Sequence, residues 1–275
     1  MTPHRTLALV VSVMLGAGGA ALMGGSDGGG DVTLIAHSVD AVADAGSYRM
    51  AMTIEMAGAG ESLTMTGDGI FRESPLAGEM TMGVDLFGDS LDMKMIFLDT
   101  TLYMNMGDAM GAPTPTPWVS IDLANVAGMD DMLGSAGPGS SDPRQFLEML
   151  RGAGREQVVG REDVRGVPTT HYAARVTLEE ALAAAGGTDR ASLEAMLDGL
   201  EGTEIPVDAW LDDQGLPRRI RMAMDLAGLD PSVPAGASMT VTMEMFDYGT
   251  AVDVQAPPAD QVTDVTDMMG AASLG

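Results

Sequence analysis

The chain has 275 residues, with 40 acidic side chains against 14 basic ones and a formal net charge of −26. A surface this negative repels the phosphate backbone of nucleic acids, so the sequence predicts no nucleic-acid partner. Its hydrophobic content of 45% is that of a folded protein, and because the chain has no cysteine, the core must hold the fold without disulfides.

The beginning of the chain has the pattern of an export signal. Residues 1–25 start with the weakly basic pair His4 and Arg5, continue with an apolar stretch and end in small residues. A glycine-rich tether follows at 26–31. The sequence therefore predicts export to the cell envelope or beyond it, with 32–275 as a single domain. The cysteine that would carry a lipid anchor is missing, so no anchor is predicted.

Hydrophobic periodicity predicts the elements of the mature chain. The first is a helix over 32–45. Segments of alternating apolar and polar residues then predict strands at about 47–57, 62–72, 77–87, 90–98, 101–106, 118–123, 155–162, 167–177, 205–213, 217–227 and 238–248. Helical patterns lie between them at about 142–153, 178–185 and 189–200, and a loose tail is predicted after Pro258. The expected fold is α+β: a large curved antiparallel sheet, a half-barrel, wrapped over a few helices and enclosing an apolar cavity.

Methionine fills many apolar positions of these strands. The chain has 25 Met but only 5 Phe, 4 Tyr and 2 Trp. Sheet faces normally favour β-branched and aromatic residues, whereas methionine is flexible and adapts to more than one shape. The pattern therefore favours a surface for an apolar ligand over a reaction centre. The candidate ligand-binding residues are Met50, Met52, Ile54, Met56, Met80, Met82, Val84, Met93, Met95, Phe97, Met104, Met222, Met224 and Met243.

Two other interpretations of the methionines stay open. They could form an ordinary filled core, as in a structural or sensory protein of the envelope. Thioethers are also soft ligands suited to Cu(I), which makes a periplasmic copper-binding protein a further candidate. Against copper, the methionines are spread over many strands and have no His or Cys near them in the sequence.

The sequence offers no set of residues for catalysis. His4 belongs to the leader, His37 to the first predicted helix and His171 to a strand, and none has a partner at metal-ligand spacing. A lone strand histidine more often has a structural role. The adjacent acids Asp212 and Asp213 fit a hairpin turn better than a calcium loop. We therefore expect a protein that is not an enzyme and uses no cofactor or metal.

Several short phrases stand in a fixed order: Trp118-Val119-Ser120-Ile121-Asp122, Asp142-Pro143, Gly166-Val167-Pro168-Thr169-Thr170-His171-Tyr172, Ile205-Pro206-Val207-Asp208-Ala209-Trp210-Leu211-Asp212 and Phe246-Asp247-Tyr248-Gly249. Together they resemble the actinobacterial LppX/LprG-type lipoproteins, which are related in shape to the LolA-like carriers. The resemblance implies a half-barrel sheet over helices around a hydrophobic cavity. It also implies that the protein carries acylated lipids or glycolipids across the cell envelope, with export partners at the membrane. The resemblance implies no catalytic residues in this chain.

Overall fold

The computed structural model describes residues 38, 41–58, 61–86, 89–105, 116–123, 157–177, 204–226 and 236–266. Most of them belong to twelve strands of one sheet: β1 Ser47–Gly58, β2 Glu61–Arg72, β3 Ala77–Leu86, β4 Asp89–Leu98, β5 Thr101–Asn105, β6 Trp118–Asp122, β7 Gln157–Val164, β8 Val167–Thr177, β9 Glu204–Leu211, β10 Pro217–Asp225, β11 Ser238–Phe246 and β12 Val262–Asp264. Residues 41–45 and Ser38 are helical, and a short 3-10 helix spans Ala259–Gln261.

The strands follow the order β12-β6-β5-β4-β3-β2-β1-β11-β10-β9-β8-β7 across the sheet. Strands that are consecutive in the chain pair antiparallel within two blocks, β1 to β6 and β7 to β11, and the pairing of β1 with β11 joins the blocks. The last strand is parallel to its neighbour, with Val262 opposite Trp118. The prediction of a loose tail after Pro258 was therefore wrong for Val262–Asp264.

Alternation of side chains gives the sheet two different faces. In β11 every second residue from Met239 to Met245 is buried, and the residues between them are half-buried. Two of the described turns have only two residues, at 99–100 between β4 and β5 and at 165–166 between β7 and β8, and they keep this register. The turn between β7 and β8, for example, has positive φ at both Arg165 (50°) and Gly166 (78°), the geometry that suits the twist of a tight hairpin.

The turn between β9 and β10 is held by the buried side chain of Asp212. One carboxylate oxygen accepts hydrogen bonds from the backbone N–H groups of Gln214 and Leu216, both at 2.9 Å. The other lies 2.6 Å from the guanidinium of Arg218. Gly215 supplies the positive φ of 81° that closes the turn. These contacts confirm the hairpin turn predicted from the two adjacent acids.

The main hydrophobic core lies on one face of the sheet, where helical residue Val42 is fully buried with the strand side chains. Three aromatic rings cross this face in a row, with centroids 5.8 Å apart between Tyr48 and Phe71 and 6.4 Å apart between Phe71 and Phe97. The ring of Phe71 covers Gly78, where a Cβ atom would overlap it. Glycine therefore lets an aromatic side chain from β2 lie flat on β3.

The predicted α+β class is wrong. Most of the described residues are in strands, the sheet is open, and the α-helical part of these residues consists of 41–45 with Ser38. They do not form a half-barrel wrapped over a few helices, and one strand pair is parallel. The reason is that each period-two segment finds its backbone partner in another such segment, so strand pairing organises the chain. The helices predicted at about 142–153, 178–185 and 189–200 lie outside the described residues, as do the export signal and the tether.

Candidate functional site

The predicted ligand-binding residues lie on one face of the sheet, which we call the methionine face. The strand register shows this directly. Met52 on β1 is opposite Met243 on β11 and Gly67 on β2, Gly67 is opposite Met82 on β3, and Met82 is opposite Met93 on β4. Directly paired residues project to the same side of a sheet. Thioether side chains therefore form rows that run across the strands.

Burial divides the methionine face into a packed centre and a looser flank. The buried candidates are Met50, Met52, Met80, Phe97, Met222, Met224 and Met243. The half-buried candidates are Ile54, Met56, Met82, Val84, Met93, Met95 and Met104. We call the half-buried candidates of β3, β4 and β5 the outer sector, namely Met82, Val84, Met93, Met95 and Met104. The structure thus brings every candidate to one face but packs only half of them into the core.

The outer sector lies between two groups of packed residues. Met82 and Met95 contact the main core cluster, while Met104 contacts a small second cluster formed by Ile121 and Leu123. Half-buried methionines at such a border can change rotamer without opening the packed centre. This sector is therefore the part of the methionine face best suited to contact a variable apolar ligand.

Two glycines of β2 leave room for neighbouring groups, a methionine side chain at Gly67 and the backbone of β3 at Gly69. A Cβ atom at Gly67 would lie 3.4 Å from Cγ of Met82, and one at Gly69 would lie 2.8 Å from the backbone oxygen of Glu79. Gly67 therefore leaves space that a larger side chain would take from Met82. At Gly69 even a methyl group would collide with the backbone of β3.

A groove of about 440 Å³ lies on the opposite side of the sheet, which we call the polar face. The polar-face residues lining it are Arg49, Asp68, Ile70, Glu79, Thr81, Lys94, Ile96, Trp118 and Phe246. They have the opposite parity to the neighbouring Met50, Met80 and Met95. Met50, Gly69, Met80 and Met95 also border the groove. It is nevertheless not the apolar cavity expected from the sequence, because its lining includes four charged side chains. Ile70 and Ile96, apolar residues at polar positions, were the signal that could have located it.

The polar face between β7 and β9 is held together by a network around His171. Its Nε2 atom lies 2.9 Å from Oδ1 of Asp208, and its Nδ1 atom lies 3.2 Å from Oε1 of Glu162. Trp210 donates a hydrogen bond from Nε1 to the other oxygen of Glu162 at 3.1 Å. These contacts give the lone strand histidine the structural role that the sequence favours. Within the described ranges, no group of three His, Cys, Asp or Glu side chains is placed to hold a metal ion.

A second charged group on the polar face centres on Glu244. Arg219 donates to Oε1 of Glu244 from Nη2 at 2.7 Å, and Arg165 donates to Oε2 from Nε at 2.8 Å. Burial by itself would raise the pKa of Glu244, but the hydrogen bonds and positive charges of the two arginines outweigh it and lower the pKa. The ionised carboxylate of Glu244 on β11 therefore links β10 and the β7–β8 turn through its two arginine partners.

Comparison with known proteins gives one relative by sequence. No protein-family model matches the chain. A protein of Streptomyces griseus, described as an uncharacterized 31.2 kDa protein in the rplA-rplJ intergenic region, is 32% identical over 197 residues. The alignment covers 68% of this chain and 62% of the relative, so the chain spans less than two thirds of the relative's length.

Comparison with solved structures finds similarity to two mycobacterial lipoproteins and to a LolA superfamily protein. The Mycobacterium tuberculosis lipoprotein LppX is 16% identical with a TM-score of 0.47, over 82% of this chain and 100% of that one. LprF from Mycobacterium bovis is 14% identical with a TM-score of 0.49, over 82% and 96%. A LolA superfamily protein from Nitrosomonas europaea is 7% identical with a TM-score of 0.30, over 83% and 94%. No helix in the described part of this chain is long and apolar enough to cross a bilayer.

Proposed function

We propose that the protein is an exported carrier that binds the acyl chains of lipids or glycolipids on its methionine face and moves them across the cell envelope. The observation that carries the proposal is the outer sector, where Met82, Val84, Met93, Met95 and Met104 are apolar, adjacent and only half-buried. Apolar side chains left partly open on a broad sheet face favour a ligand of the same character.

Hydrophobic transfer supplies the driving force for such binding. Each methylene group removed from water contributes about 0.8 kcal/mol, so a 16-carbon chain gains about 12 kcal/mol before losses of chain and rotational entropy. Those losses offset a large part of the gain and leave a complex that can still release its ligand. A carrier needs this balance, because it must take a lipid from one membrane and deliver it to another.

The choice of methionine supports variable acyl chains as the ligand. Across the outer sector Met82 is opposite Met93, and Met95 is opposite both Met80 and Met104. These unbranched side chains can adopt several rotamers, so neighbouring rows can fit chains of different length and saturation. A face built for one rigid ligand would gain more from β-branched residues with fixed rotamers.

The export-like pattern of residues 1–25 supports a place of action in the cell envelope or outside the cell. Lipids must then be received from and passed to membranes, which supports membrane-associated export partners. The strongly acidic surface, with its net charge of −26, favours passing lipids through such partners over electrostatic docking on anionic bilayers.

A vesicle transfer assay tests this function. Phosphatidylcholine vesicles containing a pyrene-labelled phospholipid show excimer fluorescence, which falls when the protein extracts labelled lipid. We expect saturable extraction by the wild-type protein. The double variant Met82→Gln/Met93→Gln should bind at least about tenfold more weakly, because it places two amides on the apolar contact surface.

Thr81→Gln is the matched control, since it changes the neighbouring residue of the same strand on the polar face. It should extract lipid as the wild-type protein does. Equal extraction by the double variant and the wild type would show that the outer sector does not contact the acyl chain. No extraction by any of the proteins would favour a filled structural core.

A further inference from the structure

The charged residues of the polar face fall into two groups. Between β7 and β11 several of them are paired with one another, as Arg165 and Arg219 are with Glu244. Around the groove, by contrast, Asp68, Glu79 and Lys94 make no side-chain hydrogen bond or ion pair within the part of the chain that the structure describes. Their donors and acceptors are therefore available to a ligand.

Apolar side chains accompany these free charges inside the same groove. Ile70 is opposite Glu79 in the register, and Glu79 is opposite Ile96, so an acid stands between two aliphatic residues. Trp118 on β6 and Phe246 on β11 also line the groove. The guanidinium of Arg165 lies over the Phe246 ring, 4.1 Å from its centroid, so one face of that ring is already covered. The groove thus combines flat apolar contacts with separate hydrogen-bonding groups, and its volume of about 440 Å³ is in the range of small-ligand sites.

The distribution of charge restricts the kind of ligand. Arg49 lies 3.8 Å from the carboxylate of Asp247 and is paired with it. Among the described residues, Lys94 is left as an unpaired cation beside the unpaired acids Asp68 and Glu79, so a simple anion or a simple cation would meet a like charge in the groove. A hydroxyl group can donate to a carboxylate and accept from an ammonium group at the same time. A ligand with several hydroxyls and apolar C–H faces satisfies both the charged and the aromatic lining.

We propose that the groove is a binding site for a neutral polyhydroxylated ligand, a short oligosaccharide. The aromatic and aliphatic side chains contact the C–H faces of the sugar rings, while Asp68, Glu79 and Lys94 bond to the hydroxyl groups. The site lies on the opposite side of the sheet from the methionine face. It does not depend on the proposed lipid carriage.

Titration calorimetry on the full chain tests the site with neutral trisaccharides, namely maltotriose, cellotriose and mannotriose, and with trialanine as a zwitterionic peptide. We expect saturable binding of at least one trisaccharide. Asp68→Ala and Lys94→Ala should each weaken it about tenfold, because each removes a hydrogen bond to a charged group. Both residues are exposed, so the variants keep the fold.

Two variants with the same changes of charge serve as controls. Asp163→Ala on β7 and Arg221→Ala on β10 replace exposed residues outside the groove and should bind as the wild type does. Binding that survives in Asp68→Ala and Lys94→Ala would place the sugar elsewhere and overturn the proposal. It would also be overturned if none of the three trisaccharides bound, or if trialanine bound in their place.

Discussion

The imidazole ring of His171 lies parallel to the indole ring of Trp210, with ring centroids 4.1 Å apart and planes inclined by 13°. Asp208 and Glu162 hold the imidazole at its two nitrogens, and Glu162 also accepts from the indole. The His171 side chain is only 12% exposed. Side-chain contacts thus tie β7, β8 and β9 together on the polar face, in addition to their backbone hydrogen bonds.

Replacing His171 by Ala should lower the free energy of unfolding by about 2 kcal/mol. The change removes the ring stacking and leaves two carboxylates without their common partner. Urea denaturation measures the loss. Arg161→Ala is the control, because its ion pair with Asp213 joins side chains that are 77% and 82% exposed. Its effect should stay below about 0.5 kcal/mol, and equal losses in the two variants would contradict the role given to the His171 network.

Replacing Asp212 by Ala should destabilise the protein by about 3 kcal/mol. The side chains of Asp212 and Arg218 are only 6% and 17% exposed, so the change leaves a largely buried guanidinium and two turn N–H groups without their acceptor. Asp213→Ala, in the same turn but at an 82% exposed side chain, should be close to neutral. Thermal unfolding compares the stability of the two variants. An Asp212→Ala variant as stable as the wild type would show that the turn does not depend on this carboxylate.

The stability difference between the wild type and Glu244→Gln should depend on pH. Folding lowers the pKa of Glu244 below its ordinary value of 4.5. The ionised group therefore stabilises the fold above that value, and the contribution is lost as pH falls through the lowered pKa. Urea midpoints at pH 7 should show Glu244→Gln to be the less stable protein, with the gap closing towards pH 3. Glu55→Gln, at an exposed residue, is the control and should match the stability of the wild type at pH 7. A stability difference at Glu244→Gln that stayed constant as the pH fell would contradict the stabilising role of the ionised Glu244.

Replacing Gly78 by Ala should cost about 1–3 kcal/mol by overpacking. The added Cβ atom would overlap the ring of Phe71 and lie 3.1 Å from the backbone oxygen of Ile70, so the aromatic row would have to shift. Gly160→Ala is the matched control, because a Cβ there meets nothing within 4 Å. That variant should be neutral or slightly more stable. Denaturant melts of both variants check the difference, and equal stability would show that Phe71 moves aside freely.

The strands were predictable because alternation is a local property of the sequence. Eleven predicted segments match β1 to β11, and their ends shift by up to about two residues, as in β9, which ends at Leu211 instead of 213. The short β12 was missed because three residues give no periodicity, and Val262 pairs through its backbone with Trp118, far away in the chain. The predicted fold class was wrong because no single segment of the sequence shows which other segments it pairs with, or how many strands the sheet will have.

The difference between local patterns and long-range pairing also decides which of the two candidate sites could be predicted. Parity along each strand was enough to place Met52, Met82 and Met93 on one face. The groove could not be predicted, because it depends on which strands are neighbours. The pairing of β1 with β11, which puts Phe246 beside Arg49, joins residues nearly 200 positions apart. No local pattern in the sequence encodes that contact.

Native mass spectrometry shows whether the methionine face holds acyl chains. The protein is expressed in a host that exports it and is purified without detergent. We expect a heterogeneous set of adducts at lipid masses, which should diminish in the Met82→Gln/Met93→Gln variant and persist in Thr81→Gln. A single unliganded mass would contradict acyl-chain binding and favour a filled core, and adducts spaced by the mass of copper would contradict it in favour of metal binding by the thioethers.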